Sequence, residues 1–249
     1  LGEELVLFRD KSNQLGLVHK QCPHRQASLE FGICQETGIQ CCYHGWHFDI
    51  DGTLLDVPGQ PAHVADIIKQ RVRLGAYPTY EFKGLIFAYL GPIDEKPEFP
   101  MYDSLNFKDM EMVPYKAPFN CNWLQVLDAI VDPIHTSFLH SNMSRQQFSE
   151  GFGEVGQIDF FERDSWILGC NTRRVGDNIW FRINEVVLPN FTQAGAAFAA
   201  DGTKQIHYGR SSFTRWVVPI DDETTICYAW ANFGERGDPQ EFNTPEGPE

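Results

Sequence analysis

Hydrophobic and polar positions alternate in short blocks over the first ninety residues. Leu5–Arg9 and Leu15–Val18 are apolar runs on either side of a polar turn at 10–14, the pattern of a β-hairpin. Further strands are predicted at 39–42, at 47–50 before the Asp51-Gly52 turn, at 71–76 and at 84–90. Only 64–69 carries helical spacing in this region, so a small antiparallel β domain is expected. Residues 91–100 are rich in proline and charge and read as a linker. The strongest helical stretch follows at 122–140, with Trp123, Leu124, Leu127 and Val131 at helix-compatible steps. Pro133 must interrupt it, because proline lacks an N–H and biases Asp132 away from the helical region. A break is therefore predicted at Asp132, with Asp132 capping a second helix that has Pro133 in its first turn. Beyond Gly151 the pattern returns to strands, at 157–161, 166–173, 178–188, 205–218 and 224–233, separated by polar turns. The fold class is α+β, in three parts: residues 1–92, a linker at 93–118, and a second domain at 119–249.

Composition narrows the partners. A formal net charge of −14 and a pI near 4.9 disfavour nucleic acid and anionic membrane surfaces. No apolar run approaches the ~20 residues of a membrane span. Seven cysteines, an odd number, suggest metal ligands or free thiols in a reducing compartment, here the cytoplasm. The first eight residues read as the interior of a strand, and the polar stretch at 235–249 has no closing element. Truncation at both ends is expected on that pattern.

Chemistry enters at Cys22-Pro-His24-Arg25 and Cys41-Cys-Tyr-His44-Gly-Trp, two short Cys/His arms separated by residues 25–40. Two thiolates and two imidazoles offered from two loops suit a metal or cluster site. The C-x-H arm comes first, which is not the zinc-finger order of two cysteines followed by two histidines. The set fits a Rieske [2Fe–2S] centre, in which two cysteines hold one iron and two histidines the other. Structural zinc is the competing reading. Only Cys41 gives C-x2-H with His44, although Cys42 adjoins it; Cys34, between the arms, suits a packed apolar role. Pro23 stiffens the first loop, Gly45 allows close backbone approach, and Tyr43 and Trp46 would exclude water.

A second constellation is Asp132-Pro-Ile-His135-Thr-Ser-Phe-Leu-His140. Asp132 could accept a hydrogen bond from one nitrogen of His135 and orient the other towards a metal. His135 and His140 are five apart, about 140° round a regular helix, so joint chelation requires a distortion such as a π-bulge. Taken alone, D-x2-H-x4-H is equally compatible with one ligand and one packing histidine. Beside a Rieske motif it suggests two members of the two-histidine, one-carboxylate triad of non-haem Fe(II) oxygenases.

With both motifs in this order, the chain resembles the oxygenase component of a Rieske non-haem iron ring-hydroxylating oxygenase, of the phthalate-dioxygenase-like group. The resemblance is carried by Cys22-Pro-His-Arg25, Cys41-x-x-His44-Gly-Trp-His-Phe-Asp49, Ala76-Tyr-Pro-Thr79 with Gly84-Leu-Ile-Phe-Ala-Tyr-Leu-Gly-Pro92, and Asn122-Trp-Leu-Gln125 followed by Asp132-Pro-Ile-His135 and His140. It implies a β-rich Rieske domain at 1–92 and a helix-grip (START-like) catalytic domain at 119–249 with an antiparallel sheet. It also implies a [2Fe–2S] cluster on Cys22, His24, Cys41 and His44, and a mononuclear Fe(II) on His135 and His140. Asp132 corresponds to an aspartate that links one subunit's cluster ligand to its neighbour's iron ligand, so a homotrimer is implied. The implied activity is hydroxylation or demethylation of a small aromatic or polycyclic organic substrate with O₂. Electrons would come from an NAD(P)H-dependent flavin/iron–sulfur reductase. Ala129 stands where related sequences often carry Asn or Glu. The third iron ligand is expected beyond Glu249, although Asp221, Asp222 and Asp238 are available. Strand position makes Asn190, Phe191, Thr192, Gln193 and Phe198 candidates for pocket lining or ordinary sheet packing. A Rieske-type electron carrier without oxygenase activity is the alternative function.

Overall fold

The computed structural model describes residues 2–106, 110–140, 153–195 and 211–234. The chain divides into two compact units, residues 1–82 with 86–99, and residues 83–85 with 100–249.

The first unit is built from short strands. β1 (Leu5–Arg9) and β2 (Leu15–His19) form the expected hairpin, from Leu5 opposite His19 to Arg9 opposite Leu15. The buried Asp10 carboxylate closes the turn, accepting from the Gln14 N–H (2.9 Å) and the Ser12 hydroxyl (2.8 Å). It also reaches the Gly38 N–H at 3.1 Å, tying the hairpin to the segment between the two Cys/His arms. A four-stranded antiparallel sheet follows, of β3 (Ile33–Cys34), β4 (Ile39–Gln40), β5 (His47–Phe48) and β6 (Leu54–Asp56). The helical hint at 64–69 becomes α1 (Ala62–Arg71), with Lys69 and Arg71 in its last turn, where cations oppose the negative end of the helix dipole. The helix thus takes the start of the predicted 71–76 strand, leaving β7 (Ala76–Tyr77), which pairs with β2. β8 (Thr79–Phe82) and β9 (Leu85–Ala88) complete a second hairpin. Val18, Leu29, Ile39 and Phe48 are at most 2% exposed and centre the core. Burial of each such side chain is worth roughly 1.5–3 kcal/mol.

The second unit is one seven-stranded antiparallel sheet with a helix on one face. Its first strand, β10 (Met110–Phe119), corrects the expectation of a linker through 118. Pro114 and Pro118 argue against a central strand, but β10 lies at the sheet edge, where a missing N–H costs no ladder bond. Next comes α2 (Trp123–Val131), capped by Asn122, whose side chain accepts from the Leu124 N–H at 2.9 Å. Val126, Leu127 and Ile130 are buried, whereas Leu124, expected on the apolar face, is 58% exposed. The remaining strands are β11 (Gln157–Arg163), β12 (Trp166–Val175), β13 (Asn178–Val187), β14 (Phe191–Gly195), β15 (Ser211–Pro219) and β16 (Thr225–Gly234). They run as a meander, with β16 returning to pair with β10 along its whole length. Part of the predicted 205–218 strand, together with Phe198 and Asp238, lies outside the described residues.

α2 packs on Val186, Val217 and Cys227. Strand alternation and register put Asn171, Arg173, Arg182, Asn184, Thr192 and Arg215 on this same sheet face. Of the run named above, Thr192 shares the α2 face, while Phe191 and Gln193 point to the other side. There Phe191 packs on Tyr102 and Trp216, and Gln193 donates to the Glu185 carboxylate. Asn190 donates to the Val217 carbonyl at 3.0 Å. Period-two geometry therefore splits a run that reads as one surface in the sequence.

Candidate metal centres

The two Cys/His arms close by the same backbone pattern. In the first, the Cys22 N–H donates to the Ala27 carbonyl (2.9 Å) and the Gln26 N–H returns to the Cys22 carbonyl (2.9 Å). In the second, the Cys41 N–H donates to the Trp46 carbonyl (2.8 Å) and the Gly45 N–H returns to the Cys41 carbonyl (3.0 Å). The fifth residue of each loop is left-handed, Gln26 at φ 58° and Gly45 at φ 73°. Glycine adopts that conformation freely, whereas for glutamine it costs about 1–2 kcal/mol. Behind the second loop, Gln40 Nε2 donates to the Gly45 carbonyl (3.1 Å) and Gln35 Nε2 to Gln40 Oε1 (2.7 Å).

These turns sort the side chains by depth. Cys22 and Cys41 are 1% and 3% exposed, His24 is half-buried and His44 is exposed. The thiols interact, and the imidazole rings of His24 and His44 sit 4.6 Å apart at 68°. His24 also stacks on Trp46, centroids 4.6 Å apart and planes at 1°, which fixes its ring orientation. Trp46 is buried as expected. Tyr43 is instead 62% exposed, its ring 3.8 Å from that of His44, so it covers one ligand rather than sealing the loop. Cys42 is exposed, and Cys34 packs against the core.

Burial pushes the Cys22 thiol up to about 11; the neighbouring Cys41 thiol adds to this, while backbone N–H groups of His24 and Arg25 act the other way. Burial, then the charges of His44 and Arg25, lower the pKa of His24. The donor set fits a [2Fe–2S] cluster. Two thiols lie inward as a pair, two imidazoles lie outward as a pair, amide N–H groups face a sulfur, and His24 Nδ1 is buried with no hydrogen-bond partner. A zinc tetrahedron needs all donors on one point; among the described residues no three His, Cys, Asp or Glu side chains meet in that way.

The second constellation lies where α2 ends. Asp132 caps the next turn as predicted, with Oδ1 accepting from the Ile134 N–H at 2.8 Å. The chain then enters a π-helix at Thr136–His140 rather than an α-helix. Its wider turn brings side chains five apart together, so the rings of His135 and His140 lie 5.2 Å apart at 67°. Thr136 Oγ1 donates to the Pro133 carbonyl (2.6 Å) and Ser137 Oγ to the Glu154 carbonyl (3.2 Å), anchoring the start of the turn. Asp132 Oδ2 is 3.9 Å from His135 Nδ1, beyond direct hydrogen-bond length, and that nitrogen is buried without a hydrogen-bond partner.

No carboxylate among the described residues completes a three-ligand set with the two histidines. Asp221 is occupied as a turn cap. The Thr224 hydroxyl (2.8 Å) and the N–H groups of Glu223 (2.9 Å) and Thr224 (2.7 Å) bond its Oδ1 and hold its pKa down. The Asp222 carbonyl receives Asn122 Nδ2 at 3.0 Å, at the opposite end of α2 from His135. The sequence reading missed Asn184, whose Nδ2 donates to the Ile130 carbonyl at 2.8 Å; Asn178, Arg182 and Glu185 share its strand, so no local signal singles it out.

Comparison with known proteins accords with this geometry. Residues 1–79 match the Rieske [2Fe-2S] domain. The chain is 43% identical, over 96% of its length, to the tert-butanol monooxygenase / tert-amyl alcohol desaturase oxygenase subunit of Aquincola tertiaricarbonis, covering 53% of that protein. It is 36% identical, over 90% of its length, to the phenoxybenzoate dioxygenase subunit alpha of Ectopseudomonas oleovorans, covering 56% of it. The chain thus spans about half the length of the curated relatives it matches. Among solved structures, dicamba monooxygenase bound to dicamba superposes with a TM-score of 0.68 at 18% identity, over 93% of this chain and 70% of that one. Residues 1–79 thus form a Rieske [2Fe-2S] domain, and over nearly its whole length the chain is similar to oxygenase subunits.

Proposed function

We propose that the protein is the terminal oxygenase of a multicomponent system that hydroxylates or demethylates a small organic substrate. The observation that supports this reading is one chain holding two paired Cys/His loops and, in a separate unit, a π-turn that pairs His135 with His140. When bound, the cluster supplies electrons singly and the mononuclear iron supplies a site for O₂. The buried Cys22 and Cys41 would hold one cluster iron, and the more exposed His24 and His44 the other. His135 and His140 hold the mononuclear iron. Asp132 keeps one oxygen on the Ile134 N–H, and its other oxygen lies 3.9 Å from His135 Nδ1, where it would orient that ring.

For hydroxylation the balance is R–H + O₂ + 2e⁻ + 2H⁺ → R–OH + H₂O. The electrons require a donor, which we assign to an NAD(P)H-dependent flavin/iron–sulfur reductase. A homotrimer would set each subunit's cluster beside its neighbour's iron, bridged by Asp132. Relatives named for tert-butanol, phenoxybenzoate and 5,5'-dehydrodivanillate support a compact oxygen-bearing organic substrate. Seven cysteines, free of disulfides among the described residues, support a reducing compartment, the cytoplasm. No helix among the described residues is long and apolar enough to cross a membrane.

The test is iron and acid-labile sulfide analysis, followed by turnover with a reductase. About three iron and two sulfide per chain, with reductase-dependent oxygen insertion, is the expected result. About two iron with no oxygen consumption would assign the chain to electron carriage.

A further inference from the structure

We propose that Asn184 is a positioning residue: from an interior strand of the sheet it holds the end of α2 and thereby sets how His135 and His140 are presented. This rests on the reading of those histidines as iron ligands.

In an uninterrupted helix the Ile130 carbonyl would accept from the Ile134 N–H. Here that N–H is taken by the Asp132 carboxylate, and Pro133 offers none. The Ile130 carbonyl is thus released at a helix end inside the protein, on a residue only 9% exposed. Asn184 Nδ2 takes the place of the missing donor at 2.8 Å. Its strand, β13, is hydrogen-bonded on both sides, to β12 and β14, so the donor is carried by a rigid element.

Register adds a second constraint. Asn184 lies opposite Gly169 on β12. A Cβ at Gly169 would come within 2.8 Å of the Val131 carbonyl oxygen, so the backbone of α2 rests directly on that strand. Two successive carbonyls, of Ile130 and Val131, are therefore referenced to the sheet immediately before Asp132. Any rotation of this junction would carry Asp132 and His135 with it.

The rest of the Asn184 environment does not explain its presence. The residue is 6% exposed, and its Oδ1 has no hydrogen-bond partner. A half-satisfied buried amide costs stability that an apolar side chain of similar size would not. What the amide contributes is the location of one bond.

The experiment compares Asn184→Leu and Asn184→Asp with Val217→Ala in the iron-loaded protein. Val217 is fully buried in the cluster under α2 and carries no polar group, so it reports loss of packing alone. The readouts are mononuclear iron affinity, the EPR line shape of the ferrous nitrosyl adduct, and the thermal midpoint. Asn184→Leu is expected to weaken mononuclear iron binding by about tenfold or more and to broaden the nitrosyl signal, with cluster absorbance retained. Val217→Ala should lower the midpoint while leaving both iron readouts unchanged. Asn184→Asp should behave like the leucine variant above neutral pH and recover in acid, where the protonated carboxyl can donate to the Ile130 carbonyl. Wild-type iron affinity and line shape in Asn184→Leu would overturn the inference, as would equal losses in Val217→Ala or a pH-independent Asn184→Asp. Absence of His135- and His140-dependent iron from the wild-type protein would instead overturn the proposed function on which the inference rests.

Discussion

His135 and His140 face each other edge to face, ring centroids 5.2 Å apart, although five residues separate them. The pairing follows from Pro133. Proline ends α2, Asp132 captures the Ile134 N–H, and the chain re-enters helical structure with a π rather than an α turn at Thr136–His140. A regular helix would have set the two imidazoles about 140° apart.

Asp132 caps the turn after α2 and, in the proposed function, also lies on the electron route, and substitutions should divide the two. Asp132→Asn keeps an oxygen for the Ile134 N–H and should leave the thermal midpoint near wild type. Asp132→Ala removes the cap and should cost about 1 kcal/mol. Both should slow reoxidation of the reduced cluster by O₂ and substrate at least about tenfold in single-turnover stopped flow. Unchanged reoxidation in Asp132→Asn would remove the carboxylate from the electron route.

The adjacent cysteines are expected to separate cleanly. Cys41→Ser should abolish the visible absorption of the cluster, because Cys41 is buried beside Cys22. Cys42→Ser and Cys34→Ser should retain it, the first being an exposed thiol and the second a packing residue. Iron content and the visible spectrum of the three variants check the assignment.

Two left-handed glycines in the first unit should respond differently to alanine. At Gly38 (φ 69°) a Cβ would collide with the Phe48 carbonyl oxygen, whereas at Gly59 (φ 82°) it meets open space. Gly59→Ala should cost only the backbone term, about 1 kcal/mol, and Gly38→Ala clearly more, with loss of cluster incorporation. Thermal melts of the two variants, monitored at the cluster absorption, decide the point.

Asp10 predicts an acid limit for the first unit. Burial alone would raise its pKa, but hydrogen bonds from Gln14, Gly38 and Ser12 outweigh it and hold the carboxyl below its ordinary 3.8. A carboxyl depressed in the folded state contributes stability that is complete above the unfolded value. That contribution is lost as the pH falls through the folded value, so the loss is confined to pH below about 4. Asp10→Ala should cost about 2 kcal/mol at neutral pH and flatten this acid limb in pH-dependent melts.

Much of the architecture was written in local pattern. The β1–β2 hairpin, α2 and its break at Asp132, and most of the second-unit strands follow alternation and proline chemistry within a few residues. Pairings that depend on distant partners were not legible. β10 falls within the expected linker at 93–118, and only the arrival of β16 beside it makes it a sheet edge. The four cluster positions stood out because spacing and residue type are both local. The left-handed Gln26 and the stacking of Trp46 on His24 did not, since neither leaves a mark in spacing. Asn184 was invisible for a similar reason: its partner, Ile130, lies across the fold, and nothing near it in sequence announces the bond.

In the proposed function one protein holds a Cys22/His24/Cys41/His44 cluster and a separate iron on His135 and His140. Mössbauer spectroscopy of the ⁵⁷Fe-loaded, oxidised-cluster protein tests it most directly. About two-thirds of the iron is expected in a spin-coupled diferric pair and about one-third in a high-spin ferrous doublet, the latter lost in His135→Ala/His140→Ala. All of the iron in the coupled pair, or a ferrous doublet that survives both substitutions, would contradict it.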